Sequence, residues 1–326
     1  MTDLKRKILS AVEGDLAEIE TALSENLNPY LELVSRIARH ILFSGGKRLR
    51  PLLTVLSARL CGYRDDHLPK FSTLFEYLHT ATLLHDDLVD GGGMRRGKQV
   101  AHALWDNSSA VLVGDFLYAR SLSLAAETGR PEIIRIIAAI TENMSQGEIH
   151  QLMRKGALDL SEDEYMEVIR RKTAVLFQGA CRVSAILADV PEEKETALSR
   201  YGLNLGLAFQ MADDLLDYTV DSRALGKPVG ADLREGKLTL PVIHALGRAT
   251  DEDRRRMIGI IRNDNFSDTE FQSLIAMLKQ YGGIDYTRKK ATDHILGAKS
   301  ALGVFKAGPD REILLDIADY ALARKI

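Results

Sequence analysis

The chain has 326 residues, 45% hydrophobic and 27% charged, with 43 Lys and Arg against 46 Asp and Glu for a net charge of −3. Near-neutrality excludes the broad basic footprint of a nucleic-acid binder. Two cysteines, Cys61 and Cys181, are too few for a disulfide scaffold and point to a reducing, cytoplasmic setting.

In chain order, Asp3, Glu13, Asp15, Glu18 and Glu20 interrupt the stretch where a cleavable leader needs an apolar run, so an amphipathic helix is predicted there. Apolar residues at Leu31, Val34, Ile37, Ala38 and Ile41 predict a further helix, ended by the Ser44-Gly45-Gly46 turn. Beyond Cys61-Gly62, the mostly apolar FEYLHTATLLH predicts a buried helix that runs into HDDLVD and stops at Gly91-Gly92-Gly93. Gly129-Arg130-Pro131 punctuates the next stretch, and Pro131 and Pro191, each followed by acidic residues, mark helix starts. Ile133, Ile136, Ile137 and Ile140 keep the helical period while Arg135 breaks the run, so no segment reaches the roughly 18 to 20 apolar residues that span a bilayer. LNLGLAFQMA predicts a second buried helix that ends in ADDLLD, before the turn at Gly226-Lys227-Pro228. About a dozen helices and no substantial sheet follow, an all-α fold. No Pro/Gly/Ser-rich linker divides it, and a single domain over residues 1–326 is expected.

HDDLVD and ADDLLD share the pattern Asp-Asp-x-x-Asp. One copy is a weak signal; two are a strong one. At i and i+4, Asp86 and Asp90 share a helix face, as do Asp213 and Asp217, and like charges there repel. At a helix C-terminus the dipole adds a further ~0.3 to 1 kcal/mol per charge for the first motif. A bound cation reverses both penalties, and hard carboxylate oxygens suit Mg²⁺. The alternative, a solvated acidic face, fits less well because both motifs end helices that read as buried. Cations surround them: Arg95 and Arg96 in MRRG, Lys227 and Lys237 in GKPVGADLREGK, and Lys47, Arg48 and Arg50 in SGGKRLRP. Any one of these is more often a surface feature; carboxylates that hold metal with cations around them make a socket for a diphosphate.

GGKRLRP, LLHDDLVD followed by MRRG, VLVGDFLYAR, Lys172-Thr173 in RRKTAVLF, and FQMADDLLDY followed by GKPVGADLREGKLTLP together resemble the trans-isoprenyl diphosphate synthases, specifically their long-chain polyprenyl members. The resemblance runs from about residue 28 to the C-terminus, with the motifs in the family's order. Gly91-Gly92-Gly93 departs from the polar or acidic residues of many members, which is expected to loosen the loop bearing Arg95 and Arg96.

The resemblance implies the isoprenoid synthase fold: one polyprenyl synthase domain of antiparallel helices around a central catalytic cavity, with the two Asp motifs facing each other across its mouth, in a homodimer. It implies Mg²⁺ held by Asp86, Asp90 and Asp213, with Asp87, Asp214 and Asp217 in support, binding the diphosphate of an allylic substrate, farnesyl or geranylgeranyl. Arg95, Lys172, Lys227 and Lys237 are implied to contact the same diphosphate. Isopentenyl diphosphate is implied on Lys47, Arg50, His79 and Arg96, and Thr173 and Gln210 are implied to stabilise the allylic cation. The released diphosphate takes the final proton. Spacing agrees in part: His79 lies two helical turns before Asp86, and Gln210 is a face neighbour of Asp213.

For product length, Ala81 sits roughly 7 Å before Asp86 along the helix axis. In this family a bulky aromatic near that position stops growth, so small Ala81 and Thr82 imply a deep tunnel and a long product for a ubiquinone or menaquinone side chain. Its floor is expected from 116–126 and 133–140. The competing reading is that Ala81 only permits close helix packing. His85, Trp105 and Tyr218 are read as packing residues, and Met144 and Met153 as core. A non-catalytic partner subunit would be expected to lack some of these charged residues, and a terpene cyclase carries a different second motif. No basic amphipathic anchor is apparent, although a lipid product implies transient contact with a membrane surface.

Overall fold

The computed structural model describes residues 3–95, 97–219, 230–263 and 265–323. The all-α expectation holds. α1 (Asp3–Ala11) and α2 (Glu13–Glu25) are followed by α3 (Glu32–Leu42), α4 (Leu49–Leu60) and α5 (Leu68–Val89). Among the described residues the only sheet is an antiparallel ribbon of β1 (Met94–Arg95) and β2 (Lys98–Gln99), which places Arg95 opposite Lys98. Next come α6 (Ala101–Leu104), α7 (Asn107–Glu127), α8 (Pro131–Met153), α9 (Glu162–Ile169), α10 (Val175–Leu187) and α11 (Glu192–Thr219). The short helix Ala231–Arg234 precedes Leu240–Arg248, Asp251–Ile261, Asp268–Gln280, Gly283–Ala301 and Pro309–Ala323.

The described residues contain fifteen α-helices of eight residues or more, above the dozen expected. One cause is that short interruptions divide stretches whose apolar period continues. Val12 leaves helical geometry at φ −119° and ψ 14° between α1 and α2, and a π-helical turn at Arg170–Ala174 separates α9 from α10. Pro131 opens α8, as its fixed φ favours, and Pro191 immediately precedes α11. α9 starts at a capping box in which the Ser161 hydroxyl accepts from the Glu164 N–H while Glu164 reaches back to the Ser161 N–H.

The chain divides into two compact units. The first comprises Met1–Ile140, Leu176–Ser199 and Leu302–Ile317. Within it α5 packs along α2, α4 and α7. α5 is apolar nearly all round, and Leu74, Phe75, Leu78, Ala81 and Leu84 are buried, as expected of a helix wrapped by neighbours. Arg48 lies at the start of α4 in the left-handed region at φ 46° and is only 4% exposed. It donates to Glu20 Oε1 at 2.6 Å, to Glu76 Oε1 at 2.8 Å and to the Leu42 carbonyl at 2.7 Å. This corrects the grouping of Arg48 with phosphate-binding cations: its fork is spent on the buried Glu76, which needs a counter-charge, and on the partly exposed Glu20.

The second unit comprises Thr141–Val175, Arg200–Ala301 and Ala318–Ile326. Its core gathers Leu215, Tyr218, Val242, Met257, Phe271 and Leu274. The Phe266 and Phe271 rings stack at 5.5 Å, and Tyr218 lies 6.1 Å from Phe271. Met144 is buried, as expected, but Met153 is 78% exposed, which corrects its reading as core: it ends α8 on the same outward stripe as the exposed Ile149. Among the described residues no helix is long and apolar enough to cross a membrane.

Candidate functional site

The first acidic motif occupies the last turn of α5, and its carboxylates divide by burial. Asp86 and Asp90 reach the surface in part, whereas Asp87 is 7% exposed. Both Asp87 oxygens accept from Arg95 Nε, at 2.8 and 3.0 Å, and Arg95 Nη2 lies 2.7 Å from Oδ1. This fork ties the Gly91-Gly92-Gly93 loop back to its helix, so Arg95 is anchored despite the three glycines. Arg96 lies outside the described residues.

Farther back on α5, His79 and Thr82 are half-buried and Ala81 is 2% exposed. The Thr82 hydroxyl donates to the His79 carbonyl at 2.8 Å. His85 packs against α7, where a Cβ on Gly114 would lie 2.2 Å from its Nε2; that contact supports the packing role read for it. Trp105 meets His40 edge-on at 5.4 Å. Lys47 is exposed, and the Arg50 guanidinium lies 4.6 Å over the Phe177 ring. The first unit therefore carries Lys47, Arg50, His79, Asp86, Asp87, Asp90 and Arg95.

The second motif ends α11 and divides in the same way. Asp213 is exposed, whereas Asp214 and Asp217 are 4% and 8% exposed. Asp217 accepts from the Ala231 and Asp232 N–H groups at 3.1 and 3.2 Å and so caps the helix Ala231–Arg234. Asp214 accepts from Tyr165 at 2.6 Å on one oxygen and from Gln210 Nε2 at 2.8 Å on the other. Burial pushes the Asp214 carboxyl up to about 7, and the nearby charges of Asp213 and Asp217 push the same way against those two hydrogen bonds. Burial and the adjoining carboxylate hold the Tyr165 phenol well above its ordinary value of 10. Tyr218, read as packing, is buried and shares a hydrogen bond with Thr239 at 2.8 Å.

The π-helical turn carries Lys172 and Thr173. The Thr173 hydroxyl donates to Gln210 Oε1 at 2.9 Å, and Lys172 Nζ pairs with Glu148 and donates to Gln151 Oε1 at 2.8 Å. α8 comes so close at this level that a Cβ on Gly147 would lie 2.8 Å from Arg171 Cβ and 2.9 Å from the Lys172 nitrogen. Insertion of a residue into an α-helical frame in this way is a common means of turning side chains into a functional site.

These groups line a cavity of about 130 Å³ inside the second unit, with Tyr165, Lys172, Thr173, Gln210, Asp214 and Lys237 on its wall. The structure thus brings together Lys172, Thr173, Gln210, Asp214 and Lys237, all named from sequence. Lys237 donates to Glu235 at 2.7 Å, and Lys227 lies outside the described residues. Sequence reasoning missed Tyr165, Gln151 and Arg154, which also line the cavity; Arg154 is held at 2.9 Å from Asp159 and 3.2 Å from Glu164. For Tyr165 a signal existed, since it lies seven residues, two turns, before Lys172, although the π-turn shifts the exact register.

No three His, Cys, Asp or Glu side chains among the described residues converge as a ready-made metal site. The donor type nevertheless fits a hard cation, since Asp86, Asp90 and Asp213 offer carboxylate oxygens at positions that reach solvent. An ion held by such carboxylates draws its remaining oxygens from water or a ligand, as Mg²⁺ commonly does.

The family model for polyprenyl synthetase matches residues 31–278. The chain is 39% identical over 318 residues to octaprenyl diphosphate synthase of Escherichia coli K12, covering 98% of each. It is 38% identical to the all-trans-nonaprenyl-diphosphate synthase (geranyl-diphosphate specific) of Rhodobacter capsulatus, over 99% of this chain and 98% of that one. The crystal structure of polyprenyl synthase from Caulobacter crescentus CB15 complexed with calcium and isoprenyl diphosphate superposes with a TM-score of 0.92 at 40% identity, over 99% and 98% of the two chains.

Proposed function

The chain belongs to the polyprenyl synthetase family and is a prenyltransferase with the isoprenoid synthase fold; from that membership we propose that it makes a long all-trans polyprenyl diphosphate for a quinone side chain. It condenses isopentenyl diphosphate with an allylic diphosphate, with farnesyl or geranylgeranyl diphosphate as the proposed primer. Relatives named for octaprenyl and nonaprenyl products support the long-chain assignment.

The reading rests chiefly on how each acidic motif is divided. Asp87, Asp214 and Asp217 act as buried anchors: they fix Arg95, Gln210 and the helix Ala231–Arg234. Asp86, Asp90 and Asp213, which reach solvent in part or in full, are the metal ligands in this reading. Mg²⁺, when bound by them, supplies positive charge to the diphosphate leaving group; the calcium and isoprenyl diphosphate in the Caulobacter crescentus structure support a divalent ion in this role.

Lys172 and Lys237, with Arg95 and Lys227, neutralise the remaining diphosphate oxygens as the carbon–oxygen bond breaks. Thr173 and Gln210 set oxygen dipoles near the carbon that becomes cationic. Lys47, Arg50, His79 and Arg96 bind isopentenyl diphosphate, and the released diphosphate accepts the proton lost from the condensation product. Ala81 and Thr82 leave room for the growing chain beneath the first motif. We assign the chain to the cytoplasm, as one functional domain in a homodimer; its product leaves through transient contact with a membrane surface.

The test is turnover of purified protein with farnesyl diphosphate, labelled isopentenyl diphosphate and Mg²⁺. Asp86→Ala and Asp213→Ala should each lower it by about two to four orders of magnitude, with unchanged circular dichroism. Activity retained in both variants would refute the metal assignment.

A further inference from the structure

The geometry points to Tyr165 as a positioning residue that acts through Asp214 and Gln210 to fix which side of the Thr173 hydroxyl meets the reacting carbon. This deepens the function proposed above and rests on it. The four side chains form one line of hydrogen bonds along the cavity wall: Thr173 donates to Gln210 at 2.9 Å, Gln210 donates to Asp214 at 2.8 Å, and Tyr165 donates to Asp214 at 2.6 Å.

The directions follow from what each group can do. Asp214 Oδ1 accepts from the Gln210 NH₂ while Oδ2 accepts from Tyr165, which leaves the Gln210 carbonyl turned toward Thr173. Thr173 has one hydroxyl proton and gives it to that carbonyl. What remains on Thr173 is lone-pair density, which attracts positive charge. With the amide flipped, its NH₂ would donate to Thr173 and free the hydroxyl proton to point elsewhere, the wrong polarity for a developing cation. The two ends of a glutamine amide have nearly the same shape, so packing alone does not choose between them. Asp214 makes the choice, and the buried Tyr165 phenol holds its second oxygen and so prevents the carboxylate from rotating away.

Tyr165→Phe removes one oxygen atom and keeps the ring. Its kcat should fall about tenfold, less than loss of a direct transition-state donor, with KM for both substrates within about twofold of wild type. Tyr281→Phe is the control: it breaks another phenol–carboxylate bond of 2.6 Å, to Asp253, and should leave kcat unchanged. A binding readout separates polarity from general damage. An allylic diphosphate analogue with a protonated nitrogen at the cationic carbon should lose about tenfold in affinity relative to its neutral carbon counterpart in Tyr165→Phe. Thr173→Ala should also cost less in the Tyr165→Phe background than in wild type, since both changes remove one effect. Unchanged kcat and analogue preference, or strictly additive losses, would overturn the role of Tyr165. A wild-type protein that forms no product overturns the proposed function instead.

Discussion

Replacing Gly147 with alanine adds one methyl group where α8 meets the π-helical turn. Its Cβ would lie 2.8 Å from Arg171 Cβ and 2.9 Å from the Lys172 backbone nitrogen. Restoring ordinary carbon–carbon separation requires about 0.7 Å of movement or more, and because one obstacle is backbone, the turn itself must shift. Helix propensity favours alanine by about 1 kcal/mol, while overpacking costs about 1 to 3 kcal/mol, so the net stability loss should be about 0 to 2 kcal/mol. The effect on rate should be larger. Movement of the turn displaces Lys172 from Glu148 and Gln151 and Thr173 from Gln210, and errors of that size in a preorganised site cost roughly 10- to 100-fold in kcat. Steady-state kinetics beside urea unfolding measures both quantities. Gly259→Ala is the reference, since nothing lies within 4 Å of its Cβ position in the helix Asp251–Ile261; it should stabilise by about 1 kcal/mol and leave kcat alone. Equal kcat in Gly147→Ala and wild type would refute the argument that this close approach sets the site.

Arg48→Ala should destabilise by about 3 to 5 kcal/mol in urea unfolding, because it leaves Glu76 buried without its partner; a small stability loss with a raised KM for isopentenyl diphosphate would return Arg48 to the substrate site. Ala81→Phe distinguishes tunnel from packing. A tunnel-facing position gives shorter products at near-native stability, whereas a packed one gives unchanged products and a loss of about 1 to 3 kcal/mol. Glu167 is held at about 2, first by Arg170 and then by Arg171 against the effect of burial, below its ordinary 4.5. Its contribution is therefore present above pH 4.5 and lost as pH falls toward 2. Glu167→Gln should lie about 0.5 kcal/mol below wild type at pH 6, a modest gap because the pair is over a third exposed, and the gap should close at low pH.

What could be read from the chain was whatever repeats or clusters locally. The helical period of Ile133 to Ile140, Pro131 at a helix start and the paired acidic motifs each depend on residues within two or three turns of one another. The cavity residues Lys172, Thr173, Gln210, Asp214 and Lys237 were reachable because motif order carried them. Arg48 was misjudged since its neighbours Lys47 and Arg50 share its charge, and nothing local shows that its left-handed backbone turns the side chain toward Glu20 and Glu76. Met153 failed because an apolar residue at the end of a helix follows the same period whether or not a neighbour covers it. The π-turn has no signature, as one inserted residue barely disturbs an apolar pattern that resumes at Val175. For Tyr165 only the two-turn spacing to Lys172 is local; its bond to Asp214 spans 49 residues of sequence.

The central claim is that this chain extends an allylic diphosphate into a long polyprenyl chain. Mass analysis of the product formed by purified wild-type protein from farnesyl diphosphate, isopentenyl diphosphate and Mg²⁺ tests it most directly. The account predicts a polyprenyl diphosphate several five-carbon units longer than the primer, and a reaction mixture holding no species longer than farnesyl diphosphate would contradict it.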